Sequence, residues 1–157
     1  MERLVNAGVK VVFGIPGDYS IDFYDSMWNN PQLKVVNTTD EAHAGFAADA
    51  YARVNGVGCV CVTYNVGALK IANAVACAYA ERSPLVVISG SPGMKEREHD
   101  MLLHHMVRSF NCQKEIFEKI TCASVVLDNP TTAAYHIDRV FEALKHYKQP
   151  IYIELPR

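Results

Sequence analysis

The sequence lacks the features that mark secreted or membrane proteins. Its five cysteines are an odd number without CxxC spacing, a pattern that favours buried thiols in a reducing compartment over a disulfide framework or a zinc site. No stretch reaches the roughly 18 apolar residues of a membrane span, and the first residues lack the apolar region and cleavage site of a signal peptide. We therefore expect a cytoplasmic protein without a membrane partner.

The sequence also lacks a large excess of positive or negative charge. The formal net charge is -2, and a fifth of the residues are charged, so the composition argues against a nucleic-acid partner. Half of the 157 residues are hydrophobic, which is enough to bury one core without metal or disulfides. We expect a single domain of ordinary size.

Three common catalytic and nucleotide-binding motifs are missing. The phosphate-binding pattern GxxxxGK[ST] does not occur, and residues 56–61 (GVGCVC) begin like GxGxxG but lack its third glycine. A GxSxG nucleophile elbow is absent as well. These absences argue against a generic dinucleotide site and against acyl transfer.

Short apolar runs alternate with helical stretches along the chain. Runs such as CVCVTY and PLVVISG are continuously apolar, which is typical of strands covered on both faces, and helical connections make such strands parallel. The pattern predicts an α/β protein, a three-layer doubly wound domain with a six-stranded, mainly parallel sheet. The predicted strands are residues 10–13, 34–37, 59–63, 85–89, 124–127 and 151–154; the predicted helices are 20–29, 41–55, 67–82, 114–119 and 131–147, with a short helix before Val9.

Two of the predicted helices are unusually rich in small residues. They contain AHAGFAADAYA at 42–52 and GALKIANAVACAYA at 67–80. Small side chains let another backbone approach closely, so we expect these helices to meet each other or a second subunit.

Ligands of open parallel sheets bind beyond the carboxyl ends of the strands, and the loops there carry acids and histidines. Asp18 follows the first predicted strand and Glu41 the second, while His99, His104 and His105 lie in a long connection after the fourth. Long connections in compact domains are usually functional or disordered. The residues alone thus indicate a crevice lined by acids and histidines.

Each of these candidates also has a purely structural interpretation. Thr38-x-x-Glu41 is the pattern of a capping box, and Asp18 precedes a helix as an N-cap would. Adjacent His104 and His105 would point roughly 100° apart on a helix, which is a poor arrangement for one metal ion, so we predict no metal site. Position does not distinguish cap from catalyst.

Consecutive blocks of the chain resemble one enzyme family. FGIPGDY, DEAHAGFAADAYAR, TYNVGALKIANAVACAYAE, PLVVISGSPG, EREHDMLLHH and PIYIELPR are similar, in order, to the pyruvate and indolepyruvate decarboxylase branch of the thiamine-diphosphate enzymes. The resemblance implies that residues 1–157 are the N-terminal, pyrimidine-binding domain. The strand-like ending PIYIELPR suggests that this domain is a fragment of a longer chain.

The resemblance assigns cofactor contacts to specific residues. It implies that Glu41 hydrogen-bonds N1′ of the aminopyrimidine and so promotes loss of the thiazolium C2 proton. The backbone at Val66 and Gly67 is expected to line the pyrimidine. The chain departs from the family at Asn65, where glycine is usual, and at Lys70, where a small serine is common.

The resemblance also implies a reaction. Asp18, His104 and His105 match the decarboxylase residues that handle protons after carbon dioxide leaves a 2-oxo acid, which is converted to an aldehyde. The alternatives are a carboligase domain similar to acetohydroxyacid synthase, whose members lack the histidine pair, and a non-catalytic α/β assembly domain.

The remaining partners follow from what the family needs and this chain does not contain. In the family, the diphosphate of the cofactor and Mg²⁺ are held by a Gly-Asp-Gly motif followed by Asn, in a C-terminal diphosphate-binding domain, and this motif is absent here. The segment alone is therefore expected to be inactive. Because the two halves of each family site come from different subunits, the intact protein is expected to be a homodimer or homotetramer.

Overall fold

The predicted strands all form, and they build one parallel sheet. The computed structural model describes residues 1–99 and 101–157. The strands are β1 (Val11–Gly14), β2 (Lys34–Asn37), β3 (Gly58–Val62), β4 (Leu85–Ser91), β5 (Ala123–Val126) and β6 (Ile151–Pro156). Within the described residues their order is β2-β1-β3-β4-β6-β5, with every neighbouring pair parallel.

Helices cover both faces of this sheet. They are α1 (Glu2–Asn6), α2 (Ile21–Trp28), α3 (Glu41–Asn55), α4 (Ala72–Ala80), α5 (Met94–Glu98), α6 (Cys112–Phe117) and α7 (Pro130–Tyr147). One core cluster contains buried residues of α1, α2 and α7, and the other contains those of α3, α4 and α6. The three-layer, doubly wound α/β fold is therefore confirmed. No helix in the described part of the chain is both long and apolar enough to cross a membrane.

The continuously apolar strands explain how two cores share one sheet. In β3, Cys59 and Cys61 belong to the first cluster, while Val60 and Val62 belong to the second. Successive side chains of a strand point to opposite faces, so a strand buried on both faces must be apolar throughout.

The helices depart from the predicted ranges in two places. The predicted helix 67–82 is split into a 3-10 helix (Leu69–Ile71) followed by α4. The connection between β4 and β5 contains α5 in addition to the predicted helix that appears as α6. Asp100, which belongs to the block EREHDMLLHH, lies outside the described residues.

The sheet order creates a crevice at the carboxyl ends of β1 and β3. From β1 the chain moves to β2 on one side, and β3 then pairs with β1 on the other side. The loops that follow β1 and β3 therefore diverge, which opens a switch-point crevice between them. Asp18 and residues 63–70 follow these two strands.

The small-residue helices α3 and α4 pack against each other, one of the two arrangements expected for them. A methyl group built on Gly45 would lie 2.9 Å from the Cβ of Ala74 and 3.2 Å from that of Ile71. The two helices are thus too close for any side chain at this position.

Gly45→Val is expected to lower the free energy of unfolding by about 2 kcal/mol, because the crowding outweighs the gain in helix propensity. Urea denaturation measures this change. The matched control is Ala50→Val, on the exposed side of the same helix, where a cost below about 0.7 kcal/mol is expected. Equal effects of the two substitutions would contradict the close packing.

Candidate functional site

Glu41 opens α3 at the carboxyl edge of the sheet, but it does not cap the helix. Asp40 is the N-cap, and its carboxylate accepts a hydrogen bond from the backbone N–H of Ala42 at 2.8 Å. The Thr38 hydroxyl donates to the backbone oxygen of Asp40 at 2.8 Å. The predicted capping box of Thr38 and Glu41 is therefore wrong, because the helix begins two residues later than the box requires. The Glu41 carboxylate is left available for another role.

Lys70 is the charged neighbour of Glu41. Its Nζ lies 3.4 Å from Glu41 Oε2 and forms a shorter ion pair with Asp40. The hydrogen bond from Lys70, assisted by the N–H of Ala42, lowers the pKa of Asp40, and the pKa of Lys70 is raised, chiefly by Asp40. The Glu41 side chain remains 18% exposed. Lys70 thus forms ion pairs with two carboxylates at the N-terminus of α3. The helix dipole also favours negative charge there.

Asp18 contacts His104 across the edge of the sheet. His104 Nε2 and Asp18 Oδ2 are hydrogen-bonded at 2.5 Å, although 86 residues separate them in the chain. Their side chains are 52% and 45% exposed. The N-cap interpretation of Asp18 is wrong, because Ser20 occupies that position of α2. A carboxylate bonded to one ring nitrogen orients an imidazole and sets which nitrogen carries a proton.

Tyr19 and Arg157, which the sequence did not single out, complete the surroundings of this pair. The Tyr19 hydroxyl donates to the backbone oxygen of His104 at 3.1 Å, and the two rings stack with centroids 4.8 Å apart. The Arg157 guanidinium lies 4.4 Å from the centre of the Tyr19 ring and 3.6 Å from Asp18 Oδ2. Burial raises the pKa of the Tyr19 hydroxyl, while the charge of Arg157 opposes that rise. The only sequence feature that could have pointed to Tyr19 is its position directly after Asp18 in FGIPGDY.

His105 joins the cluster and His99 does not. The rings of His104 and His105 meet edge to face, with centroids 4.7 Å apart, in a turn and not in a helix. Ligand-type atoms of Asp18, His104 and His105 all lie within 4.8 Å of one another. His99 instead bonds the backbone oxygen of Lys95 at 2.8 Å. The cluster therefore brings one carboxylate and two imidazoles together at this edge of the sheet.

Buried polar atoms without a partner are concentrated here. In the described residues there are four such side-chain atoms, and three are Thr63 Oγ1, Asn65 Oδ1 and His105 Nδ1. Buried polar groups in folded proteins almost always have a partner. Two of these atoms lie in the loop after β3 and one in the connection after β4, and a binding site for a polar ligand or ordered water would leave such atoms unpaired.

The loop after β3 turns sharply before presenting Val66 and Gly67. Asn65 adopts a left-handed conformation, with φ 47°, which asparagine tolerates better than most residues. This explains how asparagine can stand where the resembled family has glycine. Val66 is half exposed, whereas Gly67 is buried, and a methyl group on Gly67 would lie 3.0 Å from the backbone oxygen of Thr63. The loop contributes Lys70 to the Glu41 group and Asn65 to the histidine group.

Comparison with known proteins gives one family and a consistent set of relatives. Residues 1–114 match the family described as thiamine pyrophosphate enzyme, N-terminal TPP binding domain. The chain is 42% identical over 158 residues to an indole-3-pyruvate decarboxylase of Azospirillum brasilense, covering 100% of this chain and 29% of the relative. It is 42% identical over 156 residues to a probable pyruvate decarboxylase of Schizosaccharomyces pombe (98% and 27%) and 40% identical over 157 residues to a pyruvate decarboxylase of Neurospora crassa (99% and 28%). The chain spans less than a third of the length of these curated relatives.

Proposed function

Because this chain belongs to the thiamine pyrophosphate enzymes and contains their N-terminal TPP binding domain, we propose that residues 1–157 form the cofactor-activating domain of a non-oxidative 2-oxo-acid decarboxylase. The whole protein would convert a 2-oxo acid to an aldehyde and carbon dioxide. The observation that carries this proposal is the hydrogen bond between Asp18 and His104 beside His105, on the same edge of the sheet as Glu41. The decarboxylase names of the relatives support the same substrate class.

The residues at this edge fit the aminopyrimidine of thiamine diphosphate. Lys70 approaches Oε2 of Glu41, so Oε1 is left to hydrogen-bond a ring nitrogen of the cofactor. Val66 would offer an apolar surface and a backbone carbonyl to the ring, and Gly67 lets the loop pack closely against Thr63 behind it. Bound thiamine diphosphate supplies the carbon nucleophile and the electron sink for decarboxylation. The part of Glu41 is to share a proton with the pyrimidine nitrogen and so shift its tautomer.

Asp18, His104 and His105 are proposed to handle protons at the substrate. An imidazole orientated by a carboxylate can donate a proton to the reacting carbon after carbon dioxide leaves and later accept one from the product hydroxyl. The partial exposure of Asp18 and His104 leaves them accessible to a small 2-oxo acid.

We also propose the partners that this domain needs. The chain contains no Gly-Asp-Gly motif, and its relatives are more than three times longer. A C-terminal domain would therefore hold the diphosphate and Mg²⁺, and a homodimer or homotetramer would bring the domains of different subunits together. The five cysteines are free thiols, which supports a reducing compartment such as the cytoplasm.

The proposal is tested by assaying the full-length protein with thiamine diphosphate, Mg²⁺ and either pyruvate or indolepyruvate. We expect carbon dioxide and the corresponding aldehyde, with omission of the cofactor abolishing turnover. Product analysis by chromatography distinguishes the outcomes. Acetolactate as the main product would indicate a carboligase, and the absence of turnover in a cofactor-loaded protein would favour a non-catalytic assembly domain.

A further inference from the structure

The segment that carries the two histidines has little regular structure of its own. Between α5 and α6, residues 101–111 form turns and bends without a helix or strand. Such a segment must be held by bonds to the rest of the fold if its side chains are to keep a fixed position. The structure supplies such bonds from the loop after β1, through Asp18 and Tyr19, and from the loop after β3.

Asn65 bonds the backbone of this segment through a buried side chain. Its side chain is fully buried, and Nδ2 donates to the backbone oxygen of His105 at 2.8 Å. The neighbouring Tyr64 hydroxyl donates to the backbone oxygen of Phe110 at 3.2 Å. Two consecutive residues of one loop thus bond the carbonyls at both ends of the stretch that follows the histidines.

His105 itself needs such support. Its φ is 65°, a left-handed conformation that costs a non-glycine residue about 1–2 kcal/mol. Unfavourable backbone conformations of this kind persist only where the surroundings hold them in place. The bond from Asn65 is made to the carbonyl of this residue.

Asn65 is fixed in turn by a buried polar network. Its backbone N–H donates to Gln113 Oε1 at 2.5 Å, and Gln113 Nε2 donates to Ser89 Oγ at 3.0 Å and to Glu154 Oε2 at 3.3 Å. Glu154, which is fully buried, pairs with Arg97 at 2.5 Å. The network joins the loop after β3 to β4, β6 and α5. Asn65 therefore holds His105 from a rigid base.

We propose that Asn65 is a positioning residue, which sets the place of His105 through its backbone and thereby aligns the histidine pair with the substrate. This inference rests on the proposed function. Glycine at this position would keep the turn, because it adopts positive φ readily, but it would lack the bond to His105. The substitution to glycine therefore removes the side-chain contact with little disturbance of the backbone.

Asn65→Gly in the full-length, cofactor-loaded protein is expected to increase amide hydrogen exchange in residues 101–111 by about fivefold or more, as the loss of one buried hydrogen bond predicts. It should lower kcat for decarboxylation by a similar factor while leaving KM nearly unchanged, because proton transfer suffers and substrate binding does not. The matched control is Asn29→Gly. Asn29 Nδ2 also donates to a backbone oxygen, that of Asp25 at 2.9 Å, but on the exposed end of α2, and both readouts should stay at the wild-type values.

Two results would overturn the proposal. Unchanged amide exchange in Asn65→Gly would show that Asn65 does not hold residues 101–111 in place. Faster exchange with unchanged kcat would show that the position of this segment does not depend on Asn65 in a way that affects catalysis. If the wild-type protein itself fails to decarboxylate, the proposed function fails, and the exchange rates alone then decide whether Asn65 anchors His105.

Discussion

Glu41→Gln in the full-length enzyme is expected to lower kcat for decarboxylation by about 10²-fold or more, the usual loss when a proton-transferring group is removed. Glutamine has nearly the same size and still offers hydrogen bonds, but it cannot share a proton with a ring nitrogen. Two measurements check this. Steady-state kinetics gives kcat, and NMR of the quenched reaction follows exchange of the acidic ring proton of bound cofactor with deuterium, which should slow by a similar factor.

The same substitution should have little effect on stability, because Asp40 and not Glu41 caps α3. The substitution removes a favourable interaction with the helix dipole, worth about 0.3–1 kcal/mol, and the ion pair with the half-exposed Lys70, worth at most about 1 kcal/mol. A suitable control is Glu118→Gln, which also removes a carboxylate paired with a lysine, Lys114 at 2.8 Å, but on the surface near α6; it should leave kcat unchanged. Wild-type turnover and exchange in Glu41→Gln would exclude Glu41 as the activating residue.

The fold was predictable because its evidence is local. The short, continuously apolar and β-branched runs of β3 and β4 indicate strands buried on both faces, and helices between parallel strands impose the three-layer arrangement. The small-residue pattern of α3 and α4 likewise foretold a close approach, which Gly45 and Ala74 provide. These features depend on neighbours within a few residues, where sequence periodicity is informative.

The starts of α3 and α4 were less predictable than the strands. Thr38, Asp40 and Glu41 all have side chains that occur at helix starts, and in the structure the carboxylate of Asp40 accepts the hydrogen bond from the N–H of Ala42. For the predicted helix 67–82, the chain turns sharply at Asn65 and then forms a 3-10 helix, so that α4 begins only at Ala72. Element boundaries depend on such local competition more than on the apolar pattern.

The site was predictable in its parts but not in its contacts. Strand ends located Asp18 and Glu41 at one edge, whereas the pairing of Asp18 with His104 depends on the path of an irregular connection. The sequence marked Asn65 only as a departure from the glycine that is usual in the family. Nothing in the sequence distinguished Gln113 from any other polar residue of a short helix. Asn65 bonds His105, which lies 40 residues further along the chain, and Gln113, which lies 48 residues further. No local sequence pattern predicts contacts over such separations.

Asp18→Asn and His104→Gln are each expected to lower kcat by about 10²-fold, while the double variant should be little worse than either one. Independent contributions would instead multiply to about 10⁴-fold. Strong non-additivity is expected because the two groups share one hydrogen bond at 2.5 Å, and removal of either partner leaves the other without its orientation. A double-mutant cycle on kcat, measured with the full-length enzyme, tests this.

His99→Gln is the matched control for this cycle, since His99 lies in the same connection but bonds Lys95 and not Asp18. It should retain wild-type kcat. Full multiplication of the two single effects would mean that Asp18 and His104 act in separate proton transfers, and the contact between them would then be incidental to the reaction. Near-identity of the single and double variants would instead mark the pair as one acid–base unit, which Asp18 orientates and through which His104 exchanges protons with the substrate.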